Sequence, residues 1–285
     1  MNASPHRHFF TVDVEDYFHS EDPDVATWDR HELRVERATR LVLDMCAQAK
    51  VHATFFVLGW VAERCPGLVR DIAVGGHEVA SHGYAHQFVY HQNPTTFLED
   101  VRRAKQSLEA ITGAPVHGYR APYFSIITQT RWAYDALAEA GYRYSSSVFP
   151  GTNPRYGIPG HAQVPTRVST ESGGTIWEIP ITTFWSRVGC GGVYFRALPY
   201  GLFSALLDRN RRQGRRSVFY IHPWELDTGK PPAHGSLGLR LRHAVGVRGA
   251  GPRLGRLLSD FQFGPIDSEV EELSHAASHP AAERA

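Results

Sequence analysis

Two histidines four residues apart, His82 and His86, are the first candidates for chemistry in this sequence. On one helical turn, residues at this spacing point the same way, so the two imidazoles could hold one divalent metal ion. The spacing alone is weak evidence, because 16 histidines in 285 residues give about one such pair by chance. Other polar motifs must therefore decide whether this pair is functional.

Three further polar motifs follow runs of β-branched and aromatic residues. An acidic group comprising Asp13, Glu15 and Asp16 ends the first run, and Arg120 and His222 end later ones. In a parallel barrel the carboxyl ends of the strands form one rim, where residues from distant parts of the chain converge. Each residue alone has a commoner explanation, such as a solvated carboxylate, a helix cap or a salt-bridge partner. Their order on successive predicted strands favours one active site.

A carboxylate combined with two imidazoles suits zinc, or another first-row divalent metal, better than magnesium or calcium, which prefer oxygen ligands throughout. Two histidines and one acid leave a coordination position open for water. A metal in such a site lowers the pKa of its bound water to about 7, which supplies hydroxide at neutral pH. We therefore expect zinc, or another first-row divalent metal, as the cofactor.

The elements that must position these residues alternate between strand and helix patterns. Strands are predicted at residues 8–15, 51–58, 77–80, 116–120, 142–146, 176–181 and 217–221. Helices are predicted at residues 32–50, 66–75, 93–113, 130–140 and 198–213. In the clearest helix, Asn93 is the predicted N-cap, Pro94 the first helical residue and Gly113 the residue after the last turn. This alternation predicts an α/β fold with a parallel sheet, either a barrel or open.

The composition excludes several classes of partner. The chain carries 30 basic and 29 acidic side chains, so its net charge does not indicate nucleic acid or an anionic membrane. We find no apolar stretch of the ~18 residues that a transmembrane helix needs, and we expect no signal sequence before the first strand. Three cysteines without C-x-x-C spacing favour a reducing, cytoplasmic location. The oligomeric state is not indicated.

Three regions are predicted along the chain. Residues 1–225 form the barrel, residues 226–266 form a C-terminal extension packed on the barrel, and residues 267–285 form a disordered tail. A long excursion rich in proline and glycine interrupts the barrel pattern at residues 149–165.

The four motifs resemble those of the polysaccharide deacetylase family, carbohydrate esterase family four, over residues 8 to about 225. His82 and His86 are similar to the metal motif of that family, residues 120–123 to its arginine-proline-tyrosine wall, and residues 221–223 to the motif of its catalytic histidine. The resemblance implies a distorted (β/α) barrel, for which we expect about seven parallel strands.

A narrower resemblance concerns a branch of this family that has a C-terminal extension and is associated with exopolysaccharide synthesis. The acidic opening and residues 144–147, 191–196 and 222–225 are similar to that branch. The resemblance implies a role in exopolysaccharide synthesis, with an N-acetylated oligosaccharide or polysaccharide as the substrate.

The acidic opening departs from the common family pattern of two adjacent aspartates, because Val14 stands in the second place. In an extended strand, residues two apart share a face, so Asp13 and Glu15 point together while Val14 turns inward. We therefore expect Asp13 to be the base and Glu15 the third metal ligand. Asp16 is the alternative ligand if the strand twists at its end.

The resemblance implies hydrolysis of the N-acetyl group of an amino sugar. Asp13 would take the proton of the attacking water, and Arg120 would hold Asp13 ionised and oriented. The backbone N–H of Tyr123 would stabilise the oxyanion, and His222 would protonate the leaving amine. Trp224 is either a platform for the apolar face of the sugar or a plain core tryptophan.

Two other functions stay open. Related barrels cleave ring amides such as allantoin, some of them without a metal, and metal analysis would separate this amidohydrolase from a deacetylase. The second alternative is a catalytically inactive sugar-binding barrel. The complete set of acidic, imidazole and guanidinium residues argues against a decayed site, and a test for acetate release would decide.

Overall fold

The computed structural model describes residues 7–233 and 236–278. Its strands are β1 (His8–Val14), β2 (Thr54–Val57), β3 (Glu78–Ser81), β4 (Gly118–Tyr119), β5 (Tyr144–Ser145), β6 (Thr166–Ser169), β7 (Thr175–Glu178), β8 (Thr183–Phe184), β9 (Val188–Gly189), β10 (Val218–Ile221) and β11 (Phe263–Gly264). Its α-helices are α1 (Val35–Ala49), α2 (Gly59–Arg64), α3 (Pro66–Val74), α4 (Pro94–Thr112), α5 (Ala133–Glu139), α6 (Gly192–Ala197), α7 (Tyr200–Arg212), α8 (Leu237–Ala244), α9 (Val247–Asp260) and α10 (Asp267–Ser278).

The main sheet runs in the order β10-β1-β2-β3-β4-β5-β7-β6, and β11 also pairs with β1. The strands from β10 to β7 pair in parallel, whereas β6 pairs antiparallel with β7. Along this path seven consecutive strands of the described chain are therefore parallel. The predicted distorted (β/α) barrel with about seven parallel strands is confirmed.

Strand β1 is central to the barrel. All seven of its residues are buried, and it pairs in parallel with β2 on one side and with β10 on the other. Even its polar residues, His8, Thr11 and Asp13, are buried, as expected of a strand that is covered on both faces. Because parallel strands share their direction, the carboxyl ends of β1, β2, β3, β4 and β10 lie at one rim.

The predicted caps of α4 are confirmed. The Asn93 side chain accepts a hydrogen bond from the backbone N–H of Thr96 at 3.0 Å, and Pro94 is the first helical residue. Gly113 ends the helix with a φ of +68°, a left-handed conformation that glycine adopts without steric cost. These caps fix the helix that crosses from β3 to β4.

Several short elements were not predicted. They include α2, α6, the antiparallel strand β6 and the β8–β9 hairpin, each of which has between two and six residues. Elements of this length lack enough residues to show a hydrophobic period.

The segment after the last predicted barrel strand packs on the barrel through α9. Ala250, Leu254 and Leu257 of this helix are fully buried, and they belong to the same hydrophobic core as Phe10 of β1. The segment is thus continuous with the barrel core.

The prediction of a disordered tail is wrong for residues 267–278, which form α10. Val270 of this helix is buried in a cluster with Phe9 and Phe56. The polar, Ala-rich composition suggested disorder, but one buried apolar face is enough to dock a helix. The remainder of the predicted tail, residues 279–285, lies outside the described residues.

No helix in the described parts of the chain combines the length and the apolar character that crossing a membrane requires.

Glu78 lies at the start of β3 and joins α10 to the barrel. Its carboxylate accepts hydrogen bonds from the Thr54 hydroxyl and the Tyr144 hydroxyl, each at 2.6 Å, and from the backbone N–H of Asp267 at 3.1 Å. Burial and the nearby Asp267 carboxylate raise the pKa of Glu78 to about 7, although the hydrogen bonds oppose the shift. Glu78 therefore holds a proton more tightly in the folded than in the unfolded chain.

We expect this raised pKa to make the folded protein less stable as the pH rises. A carboxyl group whose folded pKa exceeds its unfolded value stabilises the fold below the unfolded pKa, and this contribution is lost as the pH rises through the folded pKa. Between pH 5 and pH 8, the wild type should lose roughly 1–2 kcal/mol of unfolding free energy relative to Glu78→Gln, measured by urea denaturation. Glu99→Gln, on the exposed face of α4, is the control and should keep the wild-type slope. Parallel stability profiles for the wild type and Glu78→Gln would contradict this account.

Candidate active site

The rim of the barrel encloses a small cavity that receives residues from several strand ends. After β1 the chain turns tightly, because the backbone N–H of Glu15 donates to the carbonyl oxygen of Asp13 at 2.9 Å. This turn places the side chains of Asp13 and Glu15 in the same cavity. The cavity is lined by Asp13, Glu15, Ser20, His82, His86, Tyr123, Phe124, Tyr156, Tyr220, His222, Trp224 and Arg242.

Glu15, His82 and His86 form a buried cluster in this cavity. One potential ligand atom of each residue lies within 4.8 Å of those of the other two. The Glu15 carboxylate is 2.5 Å from Nε2 of His86 and 3.9 Å from Nε2 of His82. The two histidines do not share a helical turn as the spacing suggested, because Gly83 and His86 have positive φ values of +75° and +50°. A loop after β3 brings the imidazoles together instead.

The second nitrogen of each imidazole is held by a backbone carbonyl group. Nδ1 of His82 is 2.9 Å from the carbonyl oxygen of Arg120, and Nδ1 of His86 is 3.1 Å from that of His19. A carbonyl oxygen accepts hydrogen bonds only, so each Nδ1 carries the proton when the ring is neutral. Each Nε2 lone pair then faces Glu15, an arrangement typical of metal-binding histidines.

The protonation states of the cluster fit a divalent cation. Burial lowers the pKa of His82 to about 4, so its imidazole is neutral at pH 7. Burial acts to raise the pKa of Glu15, but His86, His222 and His82 outweigh it and hold that pKa well below its ordinary value. An ionised carboxylate together with imidazole nitrogens is the donor set that zinc and other first-row divalent metals prefer.

Asp16, the alternative third ligand, is not part of this cluster. One of its carboxylate oxygens accepts hydrogen bonds from the backbone N–H groups of Arg34 and Val35 at 2.6 and 2.7 Å. The other accepts from the backbone N–H of Tyr17 at 2.9 Å. Asp16 therefore caps the start of α1, and the prediction that it is a metal ligand does not fit the structure.

Trp224 is a buried tryptophan and not a platform for a sugar. Its ring lies between the imidazoles of His222 and His243, at centroid distances of 5.4 and 4.5 Å, and its exposed fraction is 4%. Both ring faces are covered, so the prediction that Trp224 stacks on a substrate is wrong. Its indole N–H instead donates to the Glu15 carboxylate at 3.1 Å, which helps to fix that carboxylate.

Asp13 is oriented by a buried ion pair with Arg120. One guanidinium nitrogen of Arg120 donates to Asp13 at 2.8 Å and to the Thr11 hydroxyl at 2.7 Å. The remaining nitrogens donate to the carbonyl oxygen and the hydroxyl of Ser146, and the guanidinium lies over the Phe56 ring. With every nitrogen engaged, Arg120 holds Asp13 in one position.

His222 follows β10 and faces both acids across the cavity. Its Nε2 is 3.8 Å from the nearest carboxylate oxygen of Asp13 and 3.8 Å from that of Glu15. Burial acts to lower the pKa of His222, but Glu15, Glu225 and Asp13 outweigh it and raise that pKa to about 9. His222 is therefore an imidazolium at neutral pH.

Glu225 and Arg196 support His222, and neither was predicted to have a role at the site. The Glu225 carboxylate is 2.9 Å from Nδ1 of His222 and 3.4 Å from Nε of Arg196. All three side chains are largely removed from solvent. The spacing of three residues between His222 and Glu225 on a single 3-10 turn is the pattern that could have revealed this pair.

Tyr123 forms a wall of the cavity. Its ring stacks on Phe88 at a centroid distance of 3.9 Å and lies 4.7 Å from the His86 ring. Its backbone is left-handed, with φ at +58°, an unusual conformation for a tyrosine that often marks a functional site.

Two segments of the chain match known families. Residues 20–145 match the polysaccharide deacetylase family, and residues 146–271 match a domain of unknown function, DUF3473. A peptidoglycan-N-acetylglucosamine deacetylase of Bacillus cereus is 33% identical over 96 residues, which are 33% of this chain and 35% of that protein. The chain spans between about a third and a half of the length of the first curated relatives it matches. The match to the polysaccharide deacetylase family thus extends over a little less than half of the chain.

Two solved structures share the fold. One, from Mycobacterium smegmatis, carries a provisional polysaccharide deacetylase name; its TM-score is 0.66 at 20% identity, over 96% of this chain and 93% of that one. The other is an allantoinase with a TM-score of 0.61 at 15% identity, over 99% of this chain and 96% of that one. At these identities the likeness shows the barrel fold alone, so the reaction must be inferred from the residues of the site.

We expect the cluster of Glu15, His82 and His86 to bind one zinc ion. His82→Ala should weaken zinc binding by more than about 100-fold, because loss of an outer-shell partner alone costs about 10–100-fold. Equilibrium dialysis with metal analysis measures this. His52→Ala, which removes an exposed histidine outside the cavity lining, should bind zinc as the wild type does. If His82→Ala kept one zinc ion at wild-type affinity, the assignment of this cluster would be wrong.

Proposed function

We propose that this protein is a metal-dependent hydrolase that removes N-acetyl groups from amino sugars of a polysaccharide or its precursor. The observation that carries the proposal is the buried cluster of Glu15, His82 and His86, with Asp13 and His222 beside it in one cavity. The deacetylase names of the relatives support a sugar amide as the substrate.

A first-row divalent cation, zinc in the first place, would be held by Glu15, His82 and His86. When bound there, it would polarise the acetyl carbonyl group and lower the pKa of a water molecule to about 7. The buried carboxylate and the carbonyl-held imidazoles supply the charge and the orientation that such an ion needs.

Asp13 is the proposed general base. It would accept a proton from the attacking water, and Arg120 would keep its carboxylate ionised and aimed at the cavity. Such proton transfer contributes about 10²–10⁴-fold in rate. The backbone N–H of Tyr123 would stabilise the oxyanion that forms on the acetyl oxygen, a contribution of roughly 3 kcal/mol.

His222 is the proposed general acid. As the C–N bond breaks, its imidazolium would transfer a proton to the departing nitrogen, which yields acetate and a free amino sugar. Glu225 would hold the imidazole in position through Nδ1, so that the Nε2–H points into the cavity.

We also propose a role in exopolysaccharide synthesis and a cytoplasmic location. The narrower resemblance described above supports the role. Cys46, Cys65 and Cys190 are free and buried, and this supports a reducing compartment. An amidohydrolase that acts on allantoin or another non-sugar amide is the second candidate, which the likeness to an allantoinase fold favours. Acetate release separates the two candidates.

We expect the zinc-loaded protein to release acetate from N-acetylated chitooligosaccharides and to lose this activity with a chelator. His222→Ala should keep its zinc but lower kcat by about 10²–10⁴-fold, because the proposed acid is lost while the metal cluster remains. An enzymatic acetate assay and metal analysis measure both quantities, and His52→Ala is the matched histidine control. Full turnover by His222→Ala would remove His222 from the mechanism, and allantoin hydrolysis without acetate release would favour the second candidate.

We also expect Glu225 to influence the pH profile of kcat. The Glu225 carboxylate helps to raise the pKa of His222, so Glu225→Gln should lower that pKa. The acid form of His222 is then lost at lower pH, and the basic limb of the kcat profile should move toward neutral pH. Glu99→Gln is the control. An unchanged basic limb in Glu225→Gln would show that His222 does not set this limb.

A further inference from the structure

The acidic side chains of the cavity already have cationic or imidazole partners. Asp13 faces Arg120 at 2.8 Å, and Glu15 faces His86 at 2.5 Å. No acid that lines the cavity is therefore left to neutralise an additional cation.

Arg242 is such an additional cation. It belongs to α8 and its half-buried side chain lines the cavity. Within residues 7–233 and 236–278 its guanidinium takes part in no hydrogen bond and no ion pair. Glu225 is already paired with Arg196, and Arg242 acts on the Glu225 carboxylate electrostatically without forming an ion pair with it.

The backbone of Arg242 is firmly placed. Its carbonyl oxygen accepts a hydrogen bond from the Arg196 guanidinium at 2.9 Å. The next residue, His243, stacks on Trp224 at 4.5 Å and its Nδ1 lies 3.1 Å from the Glu21 carboxylate. Arg196 and Trp224, which contact this part of α8, are both buried. The position from which α8 presents Arg242 to the cavity is therefore fixed.

A second arginine lies near the same wall. Arg155 is exposed and belongs to the proline-rich excursion at residues 149–165. Burial raises the pKa of Tyr123 and of Tyr156, and Arg155 and Arg242 each oppose this rise at both tyrosines. Arg242 lines the cavity together with both tyrosines, and Arg155 directly precedes Tyr156 in the chain.

We propose that Arg242, assisted by Arg155, binds an anionic group on the glycan beside the N-acetylated sugar, so that the protein prefers acidic N-acetylated glycans. This inference rests on the proposed deacetylase function. A guanidinium can pair with a carboxylate or a phosphate through two parallel hydrogen bonds, so the anion is either a uronic acid carboxylate or a sugar phosphate.

The charges of the cavity favour an anion at this position. A half-buried arginine without an acid partner, in the same cavity as His222, bears a desolvation cost that a bound anion would offset. Arg240, two residues earlier on α8, is exposed and lines a different groove, where water can solvate its charge. The two arginines thus form a natural pair of test and control.

The experiment compares tetrasaccharides of N-acetylheparosan, which carry carboxylates, with neutral N-acetylchitotetraose. In the zinc-loaded wild type, kcat/KM for acetate release should favour the acidic substrate by about tenfold or more, and sodium chloride should reduce this preference. Arg242→Gln should abolish most of the preference through a higher KM for the acidic substrate, Arg242→Lys should restore part of it, and Arg240→Gln should behave as the wild type. A third pair, N-acetylglucosamine 1-phosphate and N-acetylglucosamine, tests whether phosphate is the preferred anion.

Binding is measured separately by calorimetry with the same probes, so the inference can be judged even if no acetate is released. Tighter binding of either anionic probe, lost in Arg242→Gln and kept in Arg240→Gln, supports the inference. Equal binding of acidic and neutral probes, or a preference that Arg242→Gln leaves intact, overturns it. Acetate release from neutral and acidic substrates at equal rates would leave the deacetylase standing and reject the anion site.

Discussion

A carboxylate that is removed from water must find compensating charge or hydrogen bonds inside the protein, and Glu15 meets this requirement with its neighbours in the cavity. The imidazoles of His86 and His82 face its oxygens, and the indole N–H of Trp224 donates to one of them. The same negative charge acts on His222 and keeps it protonated. The buried carboxylate of Glu15 therefore contributes to the protonation of His222 and to the attraction of this site for a cation.

This arrangement requires parts of the chain that the two family matches separate. Asp13 and Glu15 precede residue 20, the paired histidines lie within residues 20–145, and His222 lies within residues 146–271. Strand β1 joins these parts because it pairs with β2 on one side and with β10 on the other. The boundary between the two matches is thus not a boundary in the fold, since β5 at its end pairs directly with β7 beyond it.

The sequence predicted features that depend on local chemistry. The α4 caps, the parallel strands and the convergence of Asp13, His82 and His222 follow from capping, hydrophobic period and strand direction. Features that depend on the exact path of the backbone were not predictable. The turn after β1 decides that Glu15 enters the cavity while Asp16 caps α1. The alternation of side chains along a strand predicted that Glu15 faces the same way as Asp13. It did not decide whether Asp16 would enter the cavity or cap α1.

Packing contacts between residues far apart in the chain also could not be predicted from the sequence. The faces of the Trp224 ring are covered by His222 and by His243 of α8. Nothing near Trp224 in the sequence indicates the contact with His243. The docking of α10 likewise depends on contact between Val270 and a cluster that includes Phe9 of β1 and Phe56 of β2. Such contacts join residues far apart in the chain. The prediction of a disordered tail rested on composition alone and therefore missed the last helix.

The central claim is that Glu15, His82 and His86 hold one metal ion within reach of Asp13 and His222. An anomalous difference map from a crystal of the zinc-loaded protein, collected on both sides of the zinc absorption edge, tests it most directly. The account predicts one peak in the cavity at about 2.0–2.2 Å from a Glu15 oxygen and from each Nε2 of the two histidines. A map without a peak there, or a zinc ion bound by other residues, would contradict it.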